Sequence, residues 1–338
     1  MANLSTTYMG LNLRNPIIAG ASNLALKPEN IKAMEEAGVG AIVYKSLFEE
    51  QINFESVDLD EDLMAYNDRH AEMIKIHPEM EHAGPKEFLH QLKMIKQITS
   101  VPLIASINAI YPETWVEYAK LIEETGVDGL EMNLYSVPKK FELTGSDYEK
   151  HQLEIIKEVK KVVKIPVSVK LSPFYSSVLN FVSEVDKIGV NGFVLFNKLF
   201  EPEIDINDEK PLFPFNLSNK GDNRLSLRYA GLLYGNIKGD ICSSSGIFDG
   251  EDAVKMILAG ANTVQVVSTL YKNKIEQIAR ILDQMNSWMD KKGYKTLDDF
   301  RGKLSRKNYK DPFVYLRAQY VDILLNSSDQ LLKKHPVV

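Results

Sequence analysis

Val167-Ser168-Val169-Lys170 is the stretch on which the reading of this chain turns: a short apolar run that ends in a cation. Before it comes Gly129-Leu130-Glu131-Met132-Asn133-Leu134-Tyr135-Ser136, and after it Gly192-Phe193-Val194-Leu195-Phe196-Asn197. A strand of a parallel sheet is covered on both faces, so it reads as a continuous apolar run, and polar side chains gather where it stops. Three consecutive runs that each stop in Asn or Lys point to one polar mouth.

Outward from these three, the same rhythm gives eight candidate strands, at residues 16–22, 41–46, 102–108, 129–134, 166–171, 192–197, 240–244 and 263–268. Helical patterns lie between them, and those at 29–37, 113–125, 178–188 and 251–259 each stop at a glycine, Gly38, Gly126, Gly189 and Gly260. A longer, charged pattern at 147–163 runs up to Pro166, the entry to the next strand. Eight strand-then-helix units without a GxGxxG after the first strand predict the α/β class and a (β/α)8 TIM barrel rather than a doubly wound sheet. The whole chain, 1–338, reads as a single domain. Two insertions, 47–84 and 198–223, are too long for plain loops and are expected to shape a site or an interface. Helices are also expected at 85–99 and 274–292, followed by a tail at 311–332.

Composition narrows the function. With 338 residues, 44% of them hydrophobic, the chain can bury a large core. A net charge of −6 argues against a nucleic-acid surface. One cysteine, Cys242, excludes an internal disulfide framework and a Cys-rich zinc or iron–sulfur site, and fits a reducing cytoplasm. No segment reaches the roughly 18 apolar residues of a membrane span, and Met1-Ala2-Asn3-Leu4-Ser5-Thr6-Thr7 lacks a signal pattern, so a soluble protein is expected. The six histidines show no metal-ligand spacing, and no metal is expected.

Barrel enzymes carry their chemistry on the residues that end the strands. Here those are Ala21, Lys45 and Ser46, Ser106, Asn133 with Ser136, Lys170, Asn197, Ser243-Ser244-Ser245-Gly246 and Val267-Ser268-Thr269. A lysine ending an apolar strand needs an acceptor partner, because an unpaired ammonium is costly there; a surface salt bridge is the plain alternative for Lys45 and Lys170. Asn133 and Asn197 offer donor and acceptor together, as a heterocycle edge requires, or else they satisfy neighbouring backbone. The turns after strands seven and eight are where such barrels commonly hold phosphate on backbone N–H groups, although a serine-rich turn can also simply cap a helix.

At these residues the chain resembles the dihydroorotate dehydrogenase family, flavin-dependent (β/α)8 barrels. The resemblance runs from Tyr8-Met9-Gly10-Leu11-Asn12-Leu13-Arg14-Asn15-Pro16 to Gly293-Tyr294-Lys295-Thr296-Leu297-Asp298-Asp299-Phe300-Arg301-Gly302-Lys303-Leu304, about nine-tenths of the chain, and it favours the family's cytoplasmic class. It implies that FMN is the cofactor. Ala21, Lys45, Ser46, Ser106, Asn133 and Lys170 would surround its ring and ribityl chain, Ser226 and Leu227 would contribute from the loop after strand six, and Phe196 would offer backbone beside the ring. Ser245, Gly246, Val267 and Ser268 would cradle its phosphate. Lys170 would stand near the flavin N1 and C2 oxygen, where a cation stabilises the reduced, anionic ring. Ser136 would take the substrate proton, with Lys45, Asn133, Asn197 and Lys198 as substrate contacts. A homodimer is also implied.

The departures are equally specific. Where the family reads Asn-Leu-Ser-Cys-Pro-Asn, this chain has Asn133-Leu134-Tyr135-Ser136-Val137-Pro138, so a serine stands in place of the cysteine base and a proline in place of a substrate-gripping amide. The family's Asn-Ser-Met-Gly-Leu-Pro-Asn segment is replaced by Ile76-His77-Pro78-Glu79-Met80-Glu81-His82-Ala83-Gly84-Pro85. Its acidic residues disfavour a carboxylate substrate unless His77 or His82 is protonated. Ser245 and Val267 replace glycines of the phosphate loops.

The expected function is oxidation of dihydroorotate, or a related dihydropyrimidine, by proton abstraction at Ser136 and hydride transfer to flavin N5. Two other readings stay open on sequence: a flavin-free barrel lyase or aldolase using Lys170 as a Schiff-base nucleophile, and a catalytically silent relative kept for binding.

Overall fold

The computed structural model describes residues 2–52, 84–135, 141–199, 201–212 and 217–326. The chain enters through an antiparallel hairpin, β1 (Thr6–Tyr8) and β2 (Leu11–Leu13). Eight parallel strands then close a barrel: β3 (Ile17–Ala19), β4 (Ala41–Phe48), β5 (Leu103–Asn108), β6 (Gly129–Asn133), β7 (Val167–Leu171), β8 (Gly192–Leu195), β11 (Asp240–Ser244) and β12 (Thr263–Val266), with β12 pairing back onto β3. The expected (β/α)8 TIM barrel is the fold observed. A second small hairpin, β9 (Glu203–Asp205) and β10 (Lys210–Leu212), lies in the insertion after β8.

Helices pack on the outside of the barrel, and their starts follow from the sequence. α1 (Pro28–Glu36), α2 (Pro85–Ile98) and α3 (Pro112–Glu123) begin on proline, whose fixed φ suits the first helical position. In α4 (Gly145–Val162), α5 (Val178–Ile188) and α7 (Gly250–Ala259) the side chains of Thr144, Ser177 and Asp249 accept a first-turn backbone N–H. A helix not foreseen from the sequence, α6 (Asn223–Leu233), follows the second insertion. The segment expected as one helix at 274–292 contributes α9 (Gln277–Lys292), preceded by the short α8 (Ser268–Asn273). The tail forms α10 (Arg317–Asn326).

Alternation along each strand divides two layers. On β7, Val167, Val169 and Leu171 join the core beneath the helices, and Ser168 and Lys170 occupy the intervening positions, whose parity faces the barrel interior. The same parity holds on β6, with Leu130 and Met132 outward and Glu131 and Asn133 inward, and on β12, with Gln265 inward between Val264 and Val266.

The first hairpin plugs the bottom of the barrel. Its two-residue turn, Met9-Gly10, has positive φ at both positions, 58° and 79°, and Asp240 accepts the Met9 N–H at 2.8 Å. Tyr8, Met9 and Leu13 then pack with Ile18, Ala41, Val43, Ile104, Val194 and Cys242 inside the strands. A Cβ on Gly192 would stand 3.0 Å from Tyr8 and Met9, and one on Gly129 3.1 Å from Met9, so strands β6 and β8 start on glycine to admit the plug.

Cys242 sits fully buried in this plugged layer, and burial pushes its thiol up to about 12. A thiol that is neither accessible nor ionised is inert. The native protein is therefore expected to resist a disulfide reagent at pH 8 and to react with one equivalent after denaturation; rapid native labelling would contradict the buried placement.

Among the described residues no helix is long and apolar enough to cross a membrane.

Candidate active site

One cavity of about 560 Å³ opens at the C-terminal ends of the barrel strands, within the size range of small-molecule sites. Ala21, Lys170, Asn197, Lys198, Ser244, Ser245, Gly246, Val267 and Ser268 line it, so nine of the residues selected from the sequence meet in one space. Sequence reasoning did not single out the other lining residues, the polar Asn23, Ser218, Gln265 and Tyr271 and the apolar Leu217 and Ile247.

Lys170 forms the floor. It is 7% exposed, its Nζ donates to Gln265 Oε1 at 3.3 Å, and it stands 3.7 Å from Glu131 Oε1. Glu131 is 1% exposed, and its other oxygen accepts from Gln265 Nε2 at 2.5 Å. Lys170, Glu131 and Gln265 therefore form a closed buried trio drawn from three strands. The sequence signal for Glu131 was a carboxylate at the inward parity of an apolar strand, two positions before Asn133.

The two turns at the other end of the cavity are joined through Ser218. Gly246 N–H donates to Ser218 Oγ at 3.1 Å, and Ser218 donates from both its backbone N–H and its hydroxyl to Ser268 Oγ at 2.9 Å. Lys272 Nζ donates to Ser218 O at 2.9 Å and to Asn219 Oδ1 at 2.8 Å, which brings a cation against the same segment. Ser245 and Gly246 both have left-handed backbone, with φ of 70° and 69°. A Cβ on Gly246 would meet Asn223 N at 2.5 Å, so only glycine fits there. Ser245 tolerates the conformation while its hydroxyl donates to Phe196 O at 3.1 Å.

Other selected residues lie nearby but not on this cavity. Phe196 and Ser226 line an adjoining space of about 230 Å³ that shares Asn197, Lys198, Ser244 and Ser245 with it. Ser226 sits on helix α6 rather than in a loop, and its hydroxyl donates to Leu195 O; Leu227, on the same helix, packs against the core. Ser46 and Ser106 are buried and bonded to each other at 2.7 Å. Asn133 accepts from Asn197 Nδ2 at 2.9 Å, and Asn108 Nδ2 donates to Asn133 O and Tyr135 O, which fixes the end of β6. Lys198 is 3.5 Å from Asp222.

Lys45 is placed differently from Lys170. The β4–β5 register shifts between Val43 and Ser46, a bulge that inserts one residue and breaks the in-out alternation at Lys45. Its side chain lines a separate hollow of about 280 Å³ with Lys27, Gln51, Phe88 and Gln91; among the described residues Asn23 lines both this hollow and the main cavity. Burial lowers its ammonium below the usual lysine range. A bulge cannot be read from one strand's sequence, which is why two strand-ending lysines looked equivalent. Ser136, His77 and His82 lie outside the described residues. Among the described residues no cluster of His, Cys, Asp and Glu suits a metal.

A ligand of this cavity meets an ammonium and amides at one end and the serine hydroxyls of the two turns at the other. That donor set fits a flat, hydrogen-bonding head with an anionic tail, which is the form of a flavin mononucleotide.

Comparison with known proteins agrees with the geometry. The family model for dihydroorotate dehydrogenase matches residues 71–289. The catalytic subunit of dihydroorotate dehydrogenase B (NAD(+)) from Thermoplasma acidophilum is 29% identical over 308 residues, covering 89% of this chain and 99% of the relative. Its counterpart in Thermoplasma volcanium is 28% identical, covering 89% and 98%, and that of Methanocaldococcus jannaschii is 25% identical, covering 88% and 97%.

Proposed function

Because the chain belongs to the dihydroorotate dehydrogenase family, we propose that it is an FMN-dependent oxidoreductase that oxidises dihydroorotate, or a related dihydropyrimidine, to the unsaturated ring. The observation that carries this reading is the single cavity joining Lys170 to the two turns after β11 and β12. Ala21 and Lys170 would hold the ring of the cofactor, and Ser245, Gly246 and Ser268 its phosphate. When bound, FMN supplies the hydride acceptor.

The chain's own residues have separate tasks. Lys170 presents a positive charge at the cavity floor, where electron density arrives in the transition state. Asn133 and Asn197, already bonded to each other, orient a heterocyclic substrate through their remaining donor and acceptor atoms. Ser136 accepts the substrate proton, a task for which a neutral hydroxyl needs a polarised site. The engagement of the Lys170 amine by Gln265 at 3.3 Å and Glu131 at 3.7 Å speaks against the lyase reading, since a Schiff-base lysine needs its amine free to attack a carbonyl.

We read residues 1–338 as one domain, acting as a homodimer in the cytoplasm, the setting that a lone buried cysteine supports. With one cysteine the chain supplies no iron–sulfur relay, so the acceptor is fumarate, a separate reductase subunit or another oxidant. The test is substrate-dependent bleaching of the flavin band of the FMN-loaded protein. Dihydroorotate is expected to bleach it, with dihydrouracil and dihydrothymine compared alongside. Protein that retains no flavin and takes up none from added FMN would remove the oxidoreductase reading.

A further inference from the structure

The trio beneath the cavity has a fixed polarity. Gln265 turns its carbonyl to Lys170 and its amide to Glu131; the flipped arrangement would set NH2 against an ammonium and oxygen against a carboxylate, so the hydrogen bonds define the orientation. Glu131 Oε1, buried and without a hydrogen-bond partner, is directed to Lys170 by charge alone, at 3.7 Å.

Among the described residues, the other groups in this interior are neutral or engaged elsewhere. Tyr8, Ser168 and Thr263 contribute buried, neutral hydroxyls to the same interior. Burial pushes the Tyr8 phenol well up and the Cys242 thiol to about 12, which keeps both neutral. Asp240, near Tyr8 at the bottom of the barrel, is engaged by the Met9 N–H. Among the described residues Glu131 is the one carboxylate paired with Lys170.

We infer that Glu131 is a positioning residue that acts through Lys170: together with Gln265 it keeps the amine charged and pinned at the cavity floor, and so determines how strongly the site favours negative charge on whatever ring lies above. Without the carboxylate, the buried ammonium would be left with only a neutral amide, an uncompensated charge that the interior disfavours. The role rests on the flavin reading, but its first test does not.

In that test the full-length protein is pulsed with acetic anhydride at pH 8, and acetylation of Lys170 is followed by peptide mass spectrometry, with Lys45 as an internal control. Glu131→Gln is expected to raise the Lys170 rate at least tenfold and to leave Lys45 unchanged; an unchanged Lys170 rate overturns the inference. Should Lys45 rise as well, reporting unfolding, Glu131→Asp decides. That variant keeps the charge but draws it back, and it is expected to raise the Lys170 rate severalfold, where no change overturns the inference.

The second test measures sulfite binding to the FMN-loaded protein, because the adduct places negative charge on the ring without turnover. Glu131→Gln and Lys170→Met are both expected to weaken sulfite at least tenfold. If Glu131→Gln instead tightens it, the carboxylate tempers the lysine rather than sustaining its charge, and the inference fails. Failure of the wild-type protein to bind FMN would sink the functional reading alone, leaving the acetylation result to judge Glu131.

Discussion

Lys170→Met is expected to slow substrate-dependent bleaching of the flavin by about 100- to 1000-fold, the effect of removing one preorganised charge donor from a reacting site. It is expected to destabilise the fold as well. Lys170 and Glu131 are both deeply buried, and removing one member of such a pair strands the other charge, at a cost of about 3–5 kcal/mol. The two effects separate in the double variant Lys170→Met with Glu131→Gln, which removes both charges. Denaturant melts should recover most of the lost stability there, and the bleaching rate should stay low. A double variant as unstable as the single one would show that the pair does not act as a unit; a single variant that bleaches at the wild-type rate would remove Lys170 from the mechanism.

Ser136→Ala is expected to reduce the bleaching rate by about 100- to 10,000-fold, the usual span for losing a general base, with flavin content unchanged. Ser136→Cys is the informative companion, since a thiol ionises more readily than a hydroxyl and is the base in the family's soluble class. Its rate should rise with pH as the thiolate forms. Bleaching that survives Ser136→Ala unchanged would reject the proposed base and leave proton abstraction to another group.

Much of the fold was legible because its signals are local. A strand covered on both faces has to be apolar throughout, and Gly38, Gly126, Gly189 and Gly260 stop their helices at the residue where the chain turns back towards the sheet. What escaped depends on partners distant in sequence. The plug formed by Tyr8 and Met9 is visible only once Gly129 and Gly192 are seen to make room for it. Helix α6 begins where an insertion rich in acidic residues and prolines ends, so its apolar positions carried little weight.

The site was legible where it rests on strand ends and obscure where it rests on register. Lys170 and the turns carrying Gly246 and Ser268 share one cavity because all three lie at the C-terminal ends of their strands. Lys45 ends an equally apolar strand, yet one extra residue before Ser46 carries it into the next hollow. Glu131 and Gln265 are the reverse case. Each is a single polar residue inside an apolar run, and only closure of the barrel brings β6 and β12 close enough for their side chains to meet across the interior. Ser218 gave no signal at all, since its position between the two turns comes from an insertion whose path no periodicity describes.

The most direct test compares FMN with riboflavin, which has the same ring but no phosphate, by titrating flavin-free protein and following quenching of flavin fluorescence. If the cavity grips the ring at Lys170 and the tail at Ser245, Gly246 and Ser268, FMN should bind at least 100-fold more tightly than riboflavin. Equal affinities, or no binding of either, would contradict the account.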